Sequence, residues 1–353
     1  DQPALTDTTV KRKGVEGPYA AGTKVYSKEP LALMTSNDEP QWSDFVNWVL
    51  KALIVAEKYN ITQERADEMP TTDVFGKRYK NMFIDAIGAV GNYDEIYKRH
   101  MEAIIPRRGI NMINNGTSGR MYSHPFGNLF NKAHSASPGH EEGGQLEAIF
   151  ERGYLKCGII DEGTTIGDID EEYSPSGMTT DYCYALSAGI FRDYSDITKH
   201  NRTQIFSLNP ADATTLLNKR ELDIIGLVEM NLVNDISGNM SFSEPIYYNN
   251  QQEPLALATS QDDAQWASFV YWTASSTIYA EEKNITQSSS SEMPLVNLFG
   301  PYHIRMMRNI INAVGNYGDI YDRNIDTLGP RDGLNMLNSG NGPQFYPFPG
   351  IFD

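Results

Sequence analysis

The sequence predicts an α/β protein in which a small parallel sheet, flanked by helices, is joined to a helical module that occurs twice. Two observations carry this. Between residues 145 and 250 short β-rich runs alternate with helical patterns, the order that builds parallel strands with crossover helices. On either side of that stretch, Glu29-Pro30-Leu31-Ala32-Leu33 returns 224 positions later (253 − 29) as Glu253-Pro254-Leu255-Ala256-Leu257, and the register holds without a gap for about eighty residues. Gln41-Trp42 matches Gln265-Trp266, Phe45-Val46 matches Phe269-Val270, and Trp48 matches Trp272. Asn60-Ile61-Thr62 matches Asn284-Ile285-Thr286, and Ala89-Val90-Gly91-Asn92-Tyr93 matches Ala313-Val314-Gly315-Asn316-Tyr317. A period of 224 is far beyond that of stacked solenoid repeats.

In chain order, residues 1–28 are polar, with Lys11-Arg12-Lys13-Gly14 and Gly17-Pro18, and read as an arm. Copy A of the repeated module is placed at 29–121. It should open with a short strand, Leu31-Ala32-Leu33-Met34, and continue into a helix whose Trp42, Phe45, Val46, Val49, Leu53 and Ala56 share one face. Ser36 or Asp38 can cap that helix. A second helix is expected over 77–90, stopped by Gly91-Asn92, and a third over 93–103. Residues 122–144, rich in Ser, His, Gly and Pro, read as a linker. The unrepeated opening segment, 145–250, then gives a short helix at Leu146 to Phe150 and strands over 154–160, 203–206 and 222–226, with helices over 180–191 and 211–219 between them. Copy B, 251–353, repeats the plan of copy A with altered surfaces. Thr273, Ala274 and Thr277 stand where copy A has Val49, Leu50 and Leu53, so the two first helices cannot bury identical surfaces.

A formal charge of −17 and a pI near 4.8 argue against a phosphate-binding surface, so nucleic acid is not an expected partner. No apolar run approaches the roughly 18 residues of a membrane span. The first residue is Asp1, which suggests a processed or trimmed end. Sequons stand at Asn60, Asn115, Asn201, Asn239 and Asn284, and two of them occupy equivalent positions of the repeat. That coincidence favours a glycosylated protein of a secretory pathway over chance occurrence in polar loops. The two cysteines, Cys157 and Cys183, fit an oxidising compartment if they pair; two buried thiols are the alternative.

Several motifs resemble the extracytoplasmic solute-binding proteins of bacterial polar amino-acid transporters, in particular the general L-amino-acid-binding branch of the type II periplasmic binding proteins. Leu155-Lys156-Cys157-Gly158 is similar to that branch's first strand, and Gly177-Met178-Thr179-Thr180-Asp181-Tyr182-Cys183 to the opening of its first helix. Leu216-Leu217-Asn218-Lys219-Arg220-Glu221-Leu222-Asp223 is similar to its next helix-to-strand step. Both copies of the repeat resemble the segment with which such proteins return to their first lobe. The resemblance implies a lobe-one fold, and it breaks where the ligand would sit. Tyr247-Tyr248 is followed almost at once by Glu253-Pro254, where a second lobe should intervene. The carboxylate-binding Arg is replaced by Asn234, beside Asp235; the hydroxyl-rich stretch has become Gly226-Leu227-Val228-Glu229-Met230; and the first Asp of the helix opening is Thr179. Losing a bidentate charge-assisted pair, with Glu229 nearby, removes the expected grip on an α-carboxylate. The inherited fold is thus expected without the inherited site.

No chemistry-bearing constellation replaces it. The acidic cluster of Asp161, Glu162, Asp168, Asp170, Glu171 and Glu172 lacks the order of a Ca²⁺ loop and reads as a solvated loop. The six histidines show no i, i+3 or i+4 pairing, no Gly-x-Ser-x-Gly elbow occurs, and no Gly-rich phosphate loop follows a strand. No cofactor, metal or enzymatic activity is expected. Aromatic residues bunch at Tyr247-Tyr248 and Phe345-Tyr346-Pro347-Phe348, where some could anchor an interface.

The count of modules is the functional clue: one opening segment, two closing modules. Copy B, joined by a short connection, is expected to complete the lobe. Copy A then carries an unsatisfied face of Trp42, Phe45, Trp48, Val49 and Leu53, expected to dock on a neighbouring copy, a related subunit, or the far side of the middle segment. Head-to-tail docking of this kind propagates as a filament unless rotation closes a ring. The expectation is a non-enzymatic secreted glycoprotein acting as an assembly subunit. The rival is a binding protein that still captures a small polar amino acid.

Overall fold

The computed structural model describes residues 31–103, 105–107, 111–113, 144–160, 168–169, 175–195, 198–250, 253–325, 331–336 and 343–344. The expected arm, nearly all of the linker, the sequon Asn115, Phe345 to Phe348 and most of the acidic cluster lie outside the described residues. Copy A contributes α1 (Pro40–Lys58), α2 (Met82–Val90) and α3 (Tyr93–His100). The opening segment runs α4 (Gln145–Arg152), β1 (Leu155–Ile160), α5 (Met178–Ile190), α6 (Lys199–Arg202), β2 (Thr203–Leu208), α7 (Pro210–Asn218), β3 (Ile224–Glu229), α8 (Leu232–Ile236), β4 (Met240–Phe242) and β5 (Tyr247–Tyr248). Copy B adds β6 (Pro254–Ser260), α9 (Ala264–Glu282), α10 (Met306–Val314) and α11 (Tyr317–Asn324).

These elements make a mixed sheet in the order β2-β1-β3-β6-β4, with β5 also on β6. β1 lies parallel to β2, from Leu155 opposite Thr203 to Ile160 opposite Leu208, and parallel to β3 on its other side. Parallel strands need crossovers, and α5 and α7 provide them. β6 runs antiparallel to β3, with an irregularity between Ile225 and Val228 where Leu227 takes a φ of 52°. Such a bulge bends the strand and re-aims its side chains. The Cys157–Cys183 disulfide ties β1 to α5.

The helices of the two copies coincide to the residue. Each helix of copy B begins and ends 224 positions after its counterpart: 40 to 264 and 58 to 282, 82 to 306 and 90 to 314, 93 to 317 and 100 to 324. The local reasons recur with them. Gly91 and Gly315, at φ of 80° and 82°, stop the second helix by turning into left-handed backbone that a side chain disfavours. Asn92 and Asn316 then cap the third helix with reciprocal bonds to Glu95 and Asp319, and each Asn Nδ2 also donates to a buried carbonyl, Ile61 O or Ile285 O, at 2.9 Å. Arg107 pairs with Glu57 at 2.7 Å over the ring of Tyr93, and Arg331 pairs with Glu281 at 2.6 Å over Tyr317.

Three local expectations need correction. Leu31 to Met34 form no strand, because β6 already holds the position beside β3 that this segment would take. Neither Ser36 nor Asp38 caps α1: its N-cap is Glu39, which makes no side-chain bond, whereas Asp263 in copy B accepts from Trp266 N at 2.8 Å. The second helix is shorter than 77–90, since residues 77–79 form a 3₁₀ turn ahead of α2.

Candidate functional site

Copy B closes over the opening segment through α9, α10 and α11, all of which pack on α5. Trp266 is 1% exposed and its Nε1 donates to Asp223 O at 2.8 Å. Phe269, Val270, Ala274, Ile310 and Tyr317 fill the space between α5 and these helices. Gly189 marks the closest approach: a Cβ there would meet Ile310 and Phe269 at 3.3 Å.

Copy A is not covered this way. Its Trp42, the counterpart of Trp266, is 55% exposed, while Phe45, Val49 and Leu53 are half-buried against Phe75, Tyr79 and the rest of their own module. Trp48, assigned from the sequence to the same interface, belongs elsewhere. Six residues on a helix of 3.6 per turn rotate its side chain by about 240° from Trp42. It is fully buried at the junction with α8, where its Nε1 donates to the Asp235 carboxylate and Leu232 packs beside it. Copy A thus docks on the far side of the middle segment through Trp48, and leaves the Trp42 face open.

The junction forms an open cleft of about 360 Å³. Asp44, Asn47 and Lys51 of α1 line one wall, and Ser268, Tyr271 and Trp272 of α9 line the other. Ser268, Tyr271 and Trp272 are the repeat counterparts of Asp44, Asn47 and Trp48, so the two copies face each other across it. Gln261 Nε2 ties the walls together, donating to Asp44 Oδ2 at 2.9 Å and to Asp235 Oδ1 at 3.1 Å. Tyr271 donates to Glu244 Oε1 at 2.7 Å. Lys51 is only 7% exposed, stands over the Trp48 ring at 4.1 Å, and its Nζ has no hydrogen-bond partner among the described residues. Burial pushes the Lys51 ammonium down to about 8, against the opposing pull of Asp235, Asp44 and Glu244. Burial, reinforced by the Asp235 charge, pushes the Asp44 carboxyl up to about 7. Asp235 is also raised, again by burial first.

Sequence reasoning missed this group. The signal was present: Lys51 interrupts the apolar run 50–56 at the position of Ser275. No helix among the described residues is long and apolar enough to cross a membrane, and no cluster of metal-ligating residues occurs among them.

The residues where an amino-acid clamp would stand are otherwise engaged. Asn234 Nδ2 donates to Glu229 O at 2.8 Å, and its backbone N–H is capped by Asn231. Thr179 is buried against Gly226, where any Cβ would fall 1.9 Å from the Thr179 methyl. Asp181 accepts from Arg323 at 2.8 Å and from Asn324 at 2.6 Å, binding α5 to copy B. Of the sequons, Asn60 and Asn284 sit exposed in left-handed turns at φ of 60° and 55°, Asn239 at 53°, and Asn201 is exposed at the end of α6.

No family model matches the chain. The general L-amino acid-binding periplasmic protein of Rhizobium johnstonii is 36% identical over 118 residues, covering 27% of this chain and 34% of that protein. The glutamate/glutamine/aspartate/asparagine-binding protein of Rhodobacter capsulatus is 30% identical over 122 residues, covering 29% and 36%. The chain thus spans about a third of the length of these curated relatives. Among solved structures, a periplasmic binding protein from Brucella ovis with glutathione bound matches at a TM-score of 0.47 and 19% identity, over 56% of this chain and 94% of that one. Over part of its length, then, this chain is similar in sequence to the amino-acid-binding periplasmic proteins.

Proposed function

We propose that the chain is a non-enzymatic, secreted or periplasmic subunit that docks onto a partner through the open face of copy A. One observation carries the reading: Trp42 is 55% exposed where its counterpart Trp266 is 1% exposed, on helices of identical bounds. An apolar face of that kind is a docking surface or a liability, and α1 is more apolar there than α9. The compartment is supported by the disulfide and by the periplasmic relatives. N-linked glycans at Asn60, Asn201, Asn239 and Asn284 fit the exposure of those residues, and a mass loss on enzymatic deglycosylation of the native protein tests them. The docking reading is tested by light scattering of the full chain alone and with periplasmic or secretory extract fractions, comparing wild type with Trp42→Glu. A partner lost in Trp42→Glu supports it, and a monomer that binds nothing through this face sinks it.

The cleft between the copies favours a second reading, capture of a small polar solute. An ammonium buried without a hydrogen-bond partner among the described residues, as at Lys51, is a costly feature that a bound carboxylate would offset. Calorimetry against a panel of amino acids separates the two. Saturable heat lost in Lys51→Met selects the solute reading.

A further inference from the structure

Resting on the docking reading above, we propose that the open face of copy A receives a second opening segment, an incomplete lobe on another polypeptide, in the pose that copy B holds on residues 145–250. The molecule contains the template for this contact. Trp42, Phe45, Leu53, Val90, Tyr93 and Ile96 are exposed or half-buried, and their counterparts Trp266, Phe269, Thr277, Val314, Tyr317 and Ile320 are all buried beneath α5. The strand position is open as well. Leu31, Leu33 and Met34 are 90%, 67% and 96% exposed, whereas Leu257 and Ala258, the counterparts of Leu33 and Met34, are buried in β6 between β3 and β4. A helix face and an exposed apolar segment of strand-like composition, left open together, fit a sheet that lacks its closing strand.

Charge specifies the occupant further. In copy B, Arg323 Nη2 donates both to Val314 O at 3.0 Å and to the Asp181 carboxylate in the first turn of α5. Its counterpart Arg99 keeps the first bond, to Val90 O at 2.8 Å, and pairs with no carboxylate among the described residues. The occupant is therefore an apolar helix with an acidic residue in its first turn and a small residue at the close approach held by Gly189. A second copy of this chain is a poor source, because its own opening segment is already closed by a copy B only a short connection away. Asn284 stays exposed in the closed arrangement, so a glycan at Asn60 would not obstruct the contact.

The test uses the full chain as receptor and, as probe, a tagged segment of residues 145–250 co-expressed with it. That probe has the complementary surface and lacks its closing strand. A 1:1 complex with a blue shift of Trp42 emission is expected. Leu53→Glu in the full chain should abolish it. Arg99→Asp should weaken it about tenfold and be rescued by Asp181→Arg in the probe. A peptide of residues 178–190 with Cys183→Ser, titrated against Trp42 fluorescence, guards against a probe that fails to fold. If the probe stays insoluble beside the full chain and the peptide shifts nothing, the inference is overturned. It is also overturned if capture survives Leu53→Glu, since the probe then displaces copy B. Self-association of the full chain through Trp42, without capture of probe or peptide, overturns the identity of the occupant and leaves the docking reading standing. Absence of any association through this face removes both.

Discussion

Burial moves Asp44 and Lys51 in opposite directions, and linkage turns those directions into a stability profile. Asp44 keeps its proton up to about pH 7 when folded, against an ordinary value of 3.8. Between those values the folded state holds more protons, so this group's contribution to stability falls as pH rises from about 4 to 7. Lys51, pushed down to about 8 from 10.5, releases its proton earlier when folded, so its contribution rises as pH climbs through that window. The junction of copy A with α8 should therefore be weakest near pH 7 to 8, where a charged Lys51 and ionised Asp44 meet Asp235 and Glu244. Asp44→Asn removes the first titration. Urea midpoints measured from pH 4 to 7.5 are expected to show a shallower decline for the variant than for wild type, and equal slopes would refute the assignment of Asp44.

Equivalent positions on α1 and α9 should respond unequally to the same substitution. Trp266→Ala opens a cavity in the main core and breaks the bond to Asp223 O, a loss of about 3–5 kcal/mol. Trp42→Ala removes a side chain that is already half in water and should cost under about 1 kcal/mol. Chemical denaturation of both variants checks this, and comparable losses would mean that the Trp42 face is covered in solution. Asn92→Ala and Asn316→Ala, by contrast, remove the same cap and the same buried carbonyl partner, and each should cost about 1–2 kcal/mol. Local elements were legible in the sequence for this reason. Caps, glycine stops and helical periodicity are written within a few residues, and their recurrence at one offset doubled the signal. The failures lie where long-range competition decides. Leu31 to Met34 have the composition of a strand, yet one sheet position cannot hold both copies. Trp48 has the composition of an interface residue, yet its partner Asp235 lies 187 residues away. The cleft group of Asp44, Lys51, Asp235 and Gln261 left only one trace in the sequence, a lysine inside an apolar run, because the group is assembled only once α1 has docked.

Among the described residues the buried apolar side chains form four clusters rather than one, and the two that hold the repeated modules are separate. The larger of these gathers β1, α5 and all of copy B's helices; the smaller gathers Trp48, Ala52, Phe83 and Ile87 of copy A with Leu232 of α8. The Cys157–Cys183 link lies entirely within the larger core, closing 26 residues of separation and stabilising it by about 3 kcal/mol in the chain-entropy account. No second disulfide occurs among the described residues, and the hold on copy A rests on Trp48, Leu232, the Gln261 bridge and the parallel pairing of Met112-Ile113 with Pro343-Gln344. Unfolding should then depart from a single two-state transition. In hydrogen exchange, the amides of α2 and α3 should open earlier than those of α5 and α10, although the helices of the two modules share caps and lengths. Leu232→Ala should widen that gap by loosening the junction, while Cys157→Ser with Cys183→Ser should narrow it by lowering the stability of the main core alone. If α2 and α10 exchange at one rate in wild type and in both variants, the two cores act as a single cooperative unit, and the open face of copy A must be held by contacts beyond those that join it to α8.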